Sequence, residues 1–522
     1  MTPPVRYGLA AAAGALLVTA FAPLEWWPAA LLCPAALIAL WERTAPREAA
    51  WTGLAFKVGS FVAGTYWIFI GLRHGDAPVW MALGVWGGLV AVMAAYGAAL
   101  GYAVARWLPA TGALRWMAGI PALWLLEEWW RGWFLTGFAW LSLGYSQTDT
   151  WVGRAFAPLL GVYGLSALAL VGAGALVALV RGTPRQRGAA ATALVLPWLI
   201  ALPLGSHDWT HPVGKPVGVA IIQGDIPENQ KWQTRYREHT LQRYRRLTLS
   251  TLGTPIVIWP EAAPPDLANN LTSYLIGLYR AAALHGTSLL IGVVRADGPG
   301  VYYNSILALG SAGVSWYDKR HLVPFAEFFP VPSFVRSWLR LMSLPYSDFS
   351  RGPRDQPPLV ADGLTFATSI CYEDVYGSYE LPILARSDAL VNVTNDAWFA
   401  HTIEHAQHLQ IARMRSMEDG RYLLRAANDG ISAVIGPHGR IVARAPQYEP
   451  YVLKAEFTAR RGLTPFAEFG NGLIIGLAAV TLAMVVGWSR LEGRLPAPEP
   501  QPRAARAPGE ADDARQADPQ RP

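Results

Sequence analysis

The stretch Leu364-Thr365-Phe366-Ala367-Thr368-Ser369-Ile370-Cys371-Tyr372-Glu373-Asp374 decides how this chain is to be read. Its first part, rich in β-branched and apolar side chains, predicts a strand, and the strand ends in a thiol followed closely by two carboxylates. Two other runs end the same way. Ile256-Val257-Ile258-Trp259-Pro260 leads into Glu261, and Val314-Ser315-Trp316-Tyr317-Asp318 leads into Lys319. A carboxylate, an ammonium and a thiol at the ends of three strands can converge on one point. Taken singly, each has a bland reading: a solvated strand-end carboxylate, a surface lysine, and a buried cysteine acting as a small hydrophobe. Cys371 leans toward a reactive role, because Cys33, the other cysteine, lies in an apolar stretch read as a membrane span and offers no disulfide partner.

Around these runs the pattern is that of a layered α/β domain. Strand-like runs fall at 216–222, 254–259, 288–294, 303–309, 364–370 and 388–394, with helical patterns at about 230–252, 267–285 and 403–425 between several of them. His401, His405 and His408 recur at helical spacing beside Glu404. Zinc is conceivable there, but the spacing is not that of a known zinc signature, and the group reads as a surface or supporting helix face. A Cys–His pair with His321 or one of these histidines is equally conceivable, and nothing in the spacing favours it over Glu261.

The rest of the chain is a different material. Over 522 residues, 52% are apolar and only 15% charged, against about 25% charged in ordinary soluble proteins. That excludes a disordered or fibrous chain and argues against a wholly soluble one. A net charge of +6 without a basic stripe makes no case for nucleic acid. Apolar stretches at 8–23, 29–42, 51–72, 78–105, 116–135, 155–180, 189–205 and 470–489 predict about eight transmembrane helices. Trp26, Trp27, Trp107, Trp116, Trp129, Trp130, Trp133 and Trp151 fall near span ends, where indoles settle at a membrane interface. Arg6, the first apolar run and Ala20-Phe21-Ala22 also fit a cleaved signal peptide, although the spans that follow favour an uncleaved helix.

Orientation follows from the short loops. With the N-terminus inside, Arg6, Arg43, Arg47, Arg106, Arg115, Arg181, Arg185, Arg187, Arg490 and Arg494 are cytoplasmic, and only Arg73, Arg131 and Arg154 lie in short outer loops. The expected organisation is a membrane domain at 1–206, an extracytoplasmic catalytic domain at 207–466, a last transmembrane helix at 467–490 and a disordered cytoplasmic tail at 491–522.

Together these motifs resemble the apolipoprotein N-acyltransferases, membrane members of the nitrilase (carbon–nitrogen hydrolase) superfamily. The resemblance rests on Gln223-Gly224-Asp225-Ile226-Pro227 with Lys231-Trp232, on Trp259-Pro260-Glu261, on Tyr303-Asn304 and on Lys319 through Glu327. It continues through Cys371-Tyr372-Glu373, Asn395 through Phe399, Gln407-His408, Ala412 through Arg415 and Arg425 through Ile431. In the membrane part it includes Arg131-Gly132-Trp133, Thr136 through Leu141 and Gly144 through Gln147. Ala326 and Asp429 depart from the family pattern, where Gly and Asn are common, and neither touches the three reactive residues.

The resemblance implies an αββα sandwich as the catalytic domain, with Glu261, Lys319 and Cys371 as the catalytic triad. It implies a two-step transfer of a fatty acyl chain from a membrane phospholipid to the N-terminal amine of a diacylglyceryl apolipoprotein, through a thioester on Cys371. Glu327 and Glu373 are then supporting residues, the backbone of Tyr372 an oxyanion donor, and Trp232, Trp398, Tyr303 and Asn304 substrate-binding candidates. No cofactor and no metal are expected, and a monomer in the bacterial inner membrane suffices, its catalytic domain periplasmic and both termini cytoplasmic. The run from Phe325 to Tyr346, with Phe328, Phe329, Phe334, Trp338, Leu339, Leu341 and Met342, is too apolar to face water and reads as an arm or lid dipping into the outer leaflet. Two other readings stay open: a membrane-tethered amidase using water as acceptor, and a transporter with a ligand-binding outer domain. The latter would call for charges deep in the spans, and only Lys57, Glu127 and Glu128 stand out.

Overall fold

The computed structural model describes residues 1–324, 326–328 and 349–491. Its first part is a helical base: α1 (Pro3–Leu17), α2 (Ala29–Leu40), α3 (Pro46–His74), α4 (Val79–Trp107), α5 (Ile120–Arg131), α6 (Trp151–Arg181) and α7 (Pro184–Leu204). A further helix, Gly472–Leu491, packs against α5. All eight expected spans contain a helix, but only five are long and apolar enough to cross a membrane: α3, α4, α6, α7 and Gly472–Leu491. The helices α1, α2 and α5 are shorter, so the structure does not establish eight crossings.

Without a hydrophobic force between helices in lipid, close packing needs small residues. At Gly53 a Cβ would stand 2.1 Å from the Gly97 carbonyl oxygen, and at Gly97 one would stand 2.5 Å from that of Gly53. These two glycines let α3 and α4 touch backbone to backbone. The stretch Ala20-Phe21-Ala22 is buried in the base, and the Ala22 N–H donates to Gln410 Oε1 at 3.2 Å, so it is built into the fold. Not every tryptophan is interfacial: Trp26, Trp107 and Trp151 are exposed, but Trp116 is buried. Helix α6 is broken at Gly161 (φ 64°, ψ −174°), and the N–H of Val162 that the break frees donates to Glu418 Oε1 at 2.7 Å.

The second part is two six-stranded sheets face to face. The strands are β1 (His211–Gln223), β2 (Ile256–Ile258), β3 (Ser288–Ala296), β4 (Tyr302–Gly310), β5 (Gly313–Asp318), β6 (Leu359–Ala361), β7 (Leu364–Ile370), β8 (Ala389–Thr394), β9 (Leu423–Ala427), β10 (Ala433–Ile435), β11 (Ile441–Arg444) and β12 (Tyr451–Arg461). One sheet runs β12-β1-β2-β3-β4-β5 and the other β11-β10-β9-β8-β7-β6. Each has a parallel centre, β1-β2-β3 and β7-β8-β9, and antiparallel flanks. Between the sheets lies a core of Ile221, Ile258, Leu290, Phe366, Val391 and Leu424 among others. Helices cover the outer faces. After the short α8 (Glu228–Lys231), α9 (Thr234–Leu249) and α10 (Thr272–Ala283) pack on the first sheet, and the helix Glu404–Asp419 packs on the second. This is the αββα sandwich.

The helical pattern expected over 403–425 stops early. Gly420 is left-handed (φ 60°), which ends the helix, and β9 begins at Leu423. Of the expected arm, Phe329, Phe334, Trp338, Leu339, Leu341 and Met342 lie outside the described residues, as does the tail beyond Leu491. Phe328 is described: it is half-buried, with the Arg351 guanidinium 5.2 Å above its ring.

Candidate active site

The residues of interest emerge at one end of the sandwich. Glu261 follows β2, Lys319 follows β5 and Cys371 follows β7. Glu261 approaches β3 so closely that a Cβ at residue 292 would stand 2.1 Å from the Pro260 carbonyl oxygen and 2.8 Å from the Glu261 Cα, which only Gly292 permits. Cys371 itself has φ 52°, a left-handed conformation that a non-glycine residue holds only when its surroundings enforce it. The turn lifts the thiol off the strand end at the start of a short 3₁₀ helix, Cys371–Val375.

Glu261 is held from four sides. Its Oε1 accepts from Asn304 Nδ2 at 2.7 Å and Lys319 Nζ at 3.3 Å, and its Oε2 from the Asn395 N–H at 2.9 Å. Its carbonyl accepts from Lys231 Nζ at 3.3 Å. Lys319 Nζ also donates to Glu327 Oε1 at 2.9 Å, which Asn304 Nδ2 reaches at 3.0 Å. Glu327 is fixed in turn by the Val323 N–H, 2.8 Å from its Oε2. Burial works against the Lys319 charge, but Glu261 and Glu327 outweigh it and raise its pKa above the ordinary lysine value, so it stays an ammonium. Burial, with Glu261 adding to it, pushes the Cys371 thiol up to about 12. At neutral pH the resting site therefore holds a thiol beside a lysine–carboxylate pair.

Glu373 braces the backbone of the site. It does not reach Lys319 directly. Its Oε1 accepts from the N–H groups of Arg320 (2.6 Å) and His321 (3.0 Å), and its Oε2 from the Ile370 N–H (2.8 Å) and the Tyr317 hydroxyl (3.0 Å). One buried carboxylate thus ties the lysine segment to the cysteine turn. Glu373→Gln replaces an acceptor of two donors with an NH₂ that clashes with them, leaving buried donors unsatisfied at about 1–3 kcal/mol each. The expected outcome is a clear fall in thermal midpoint, read by unfolding of the purified protein, together with reduced activity.

The histidines divide. His401 stacks on Tyr448 at 3.8 Å, whereas His408 is buried between Asp374 Oδ1 (3.0 Å) and Asp396 Oδ1 (3.1 Å). It is therefore no surface residue. Burial and Arg425 oppose its protonation, yet Asp374 and Asp396 raise its pKa well above the usual value. Asp396, Glu404 and His408 offer three ligand atoms within 4.8 Å of one another. However, His408 and Thr394 occupy one Asp396 oxygen and Arg425 the other, so the cluster is already charge-compensated as an ion-pair network and suits a metal poorly. Arg425 also donates to Asn392 Oδ1 at 2.6 Å, and Asn392 Nδ2 reaches the Cys371 carbonyl at 3.4 Å. The network underpins the cysteine turn.

The aromatic candidates separate too. Trp232 is 39% exposed, next to the Lys231 that touches Glu261. The Trp398 ring lies toward Gly75, just past α3, and Phe399 packs on Gly71 and edge-on to Trp67 at 4.8 Å. That pair joins domain to base. On β4, side chains alternate: Asn304 enters the site, while Tyr303 lies under the Arg295 guanidinium, 4.7 Å away. The Asn395 N–H and Lys231 were not singled out as site groups from sequence. A backbone donor carries no residue signature, and Lys231 stands in the sequence only as a motif neighbour of Trp232.

Comparison with known proteins identifies the two parts of the chain. Residues 13–176 match the model of the apolipoprotein N-acyltransferase N-terminal domain, and residues 218–465 that of carbon–nitrogen hydrolases. The chain is 40% identical to an apolipoprotein N-acyltransferase of Azotobacter vinelandii, over 95% of this chain and 96% of the relative. It is 39% identical to that of Pseudomonas putida over 93% and 97%, and 37% identical to that of Vibrio vulnificus over 91% and 95%. A solved carbon–nitrogen hydrolase from Helicobacter pylori covers 53% of the chain and 94% of its own, at 14% identity and a TM-score of 0.37, too slight a likeness to add weight. With a helical base, a sandwich of the carbon–nitrogen hydrolase type, and near-full-length identity to enzymes of one kind, the chain belongs to the apolipoprotein N-acyltransferase family.

Proposed function

We propose that this membrane N-acyltransferase takes a fatty acyl chain from a phospholipid and passes it, through a thioester on Cys371, to the N-terminal amine of a diacylglyceryl apolipoprotein. The observation that carries the reading is where Cys371 sits. Its side chain packs against the apolar cluster of the membrane base as well as against the sandwich core. A thiol at that seam is accessible to an acyl chain lying in the leaflet, and the arginine distribution of the loops favours a periplasmic sandwich.

In the first half-reaction Glu261 takes the Cys371 proton as sulfur attacks the ester carbonyl. The carbonyl electrons move onto oxygen. Lys319 and the Tyr372 N–H receive that oxyanion; the N–H lies in the first turn of its short helix, where donors have no intrahelical acceptor. Collapse of the intermediate expels the lysophospholipid alkoxide, which takes the proton back from Glu261, leaving the thioester. In the second half the lipoprotein amine attacks the thioester carbonyl, Glu261 accepts an amine proton, and the Cys371 thiol is restored as the amide forms. The ester of the donor supplies the activation, so no nucleotide enters.

Given phospholipid alone, the purified chain is expected to gain an acyl mass on Cys371 that hydroxylamine removes, detected by peptide mass spectrometry. An adduct elsewhere, or none, contradicts the two-step scheme. Adding a diacylated lipopeptide then separates acceptors: acylated peptide supports transfer, whereas free fatty acid alone means that water is the acceptor.

A further inference from the structure

We propose that Arg131, inside the membrane base, is a positioning residue for acyl transfer: it fixes the loop 134–142 against the short helix that carries Cys371. The proposal rests on the acyl-transfer reading above and concerns a residue remote from the reacting atoms.

Arg131, expected in a short outer loop, instead ends α5 and is fully buried. Glu127, one turn earlier, lies 3.7 Å from its Nε, and Lys57 Nζ on α3 stands 3.1 Å from Glu127. Lys57 alone already partners Glu127, so an apolar residue at 131 would give a simpler base. The guanidinium's other donors reveal a further role. Nη1 reaches the carbonyls of Phe138 (2.6 Å) and Trp140 (2.8 Å), and Nη2 reaches Ser142 Oγ (3.2 Å). One rigid planar cation gathers three points of a single loop, which a point charge on a flexible stem cannot do.

The loop needs such a hold. Leu135 (φ 53°), Thr136 (φ 74°) and Leu141 (φ 58°) are left-handed without being glycine, a conformation that persists only where the surroundings impose it. Glu128 secures the loop's exit, accepting from the Leu143 N–H at 2.9 Å and from Ser166 Oγ at 2.6 Å. The far side of the loop meets the cysteine helix. The Gly137 carbonyl accepts from the hydroxyls of Tyr372 (3.3 Å) and Tyr376 (3.1 Å). Phe138 and Trp140 each stack on Tyr372 with ring centroids 6.4 Å apart, and Trp140 Nε1 donates to Gln407 Oε1 at 2.7 Å. A continuous path of hydrogen bonds and stacked rings therefore runs from Arg131 to Tyr372, whose N–H is the proposed oxyanion donor. Arg131 touches neither donor lipid nor thiol; it sets the aim of a residue that does.

The test is a two-residue cycle in the full-length chain, using a bacterial total phospholipid extract in mixed micelles as acyl donor. Arg131→Lys keeps the charge facing Glu127 but cannot span the carbonyls and Ser142. Tyr376→Phe removes the shorter of the two tyrosine hydrogen bonds that anchor the loop on the other side. Arg131→Lys is expected to slow single-turnover acylation of Cys371 about 10- to 100-fold, as small misplacements of a reacting group do, with the half-saturating donor concentration within about twofold of wild type. The double variant is expected to fall no more than about threefold below Arg131→Lys, because both changes release one loop; independent effects would multiply. Acylation at the wild-type rate in Arg131→Lys, multiplied effects, or a rate loss matched by an equal loss of folded protein each overturns the proposal. A normal wild-type adduct with unslowed variants sinks this proposal alone. A wild-type chain that never acylates Cys371 sinks the donor reading and this proposal with it.

Discussion

Cys371→Ala is expected to abolish both adduct formation and transfer, lowering the rate by at least about 10⁴-fold, while the chain remains folded and inserted. The two outcomes separate because the sulfur is almost the only thing lost. The hydrogen bonds that shape the turn run through the Ile370, Arg320 and His321 N–H groups to Glu373 and through the Cys371 carbonyl to Asn392, and alanine keeps all of them. Alanine at φ 52° is as strained as cysteine, so the turn's conformation adds no new cost. Mass spectrometry of the phospholipid-treated variant and acylation of a diacylated lipopeptide check this directly. Retained transfer would remove the nucleophile assignment.

Lys319→Met should be nearly as damaging, and destabilising as well. It deletes the cation that Glu261 and Glu327 share, leaving two buried carboxylates bridged only by the Asn304 amide. Breaking a buried pair this way costs roughly 3–5 kcal/mol, and losing an oxyanion donor about 10²–10³ in rate. The pH dependence has a definite sign. Without the lysine two like charges face each other, and protonating either one relieves the repulsion, so the variant's stability falls as pH rises. The variant's thermal midpoint should recover on acidification toward about pH 5. In the wild type the raised Lys319 pKa contributes stability below the unfolded lysine value and loses it only on the alkaline side, so no such recovery is expected. Lys319→Met combined with Glu327→Gln should restore the midpoint and not the activity. A single variant with an unchanged midpoint at pH 8 would mean that the pair is not the buried ion pair seen here.

The strands were legible as bounded apolar runs, but Glu261, Lys319 and Cys371 each have a bland reading alone, and only the resemblance of the motifs around them marks the three as one site. The layering was legible too: alternating runs and helical patterns leave few ways to bury both faces. What escaped depends on distant segments meeting. The resemblance marks Glu373 as a supporting residue, but its four donors become visible only when the 317–321 segment folds over the cysteine turn. Trp398 is a substrate-binding candidate by resemblance, and sequence cannot show that its ring lies toward Gly75 at the end of α3. His408 was read as a surface or supporting residue, since periodicity cannot report that two aspartates from other elements enclose it. In the base, apolar runs marked every helix but not how long each persists, hence five qualifying spans where eight were expected.

The break in α6 makes the two parts of the chain depend on each other. Val162 finds its acceptor in Glu418, 256 positions later in sequence on the sandwich helix Glu404–Asp419. Without that carboxylate the freed N–H would be a buried donor left unpaired. The base is therefore not complete by itself: its sixth helix is closed by the domain it carries.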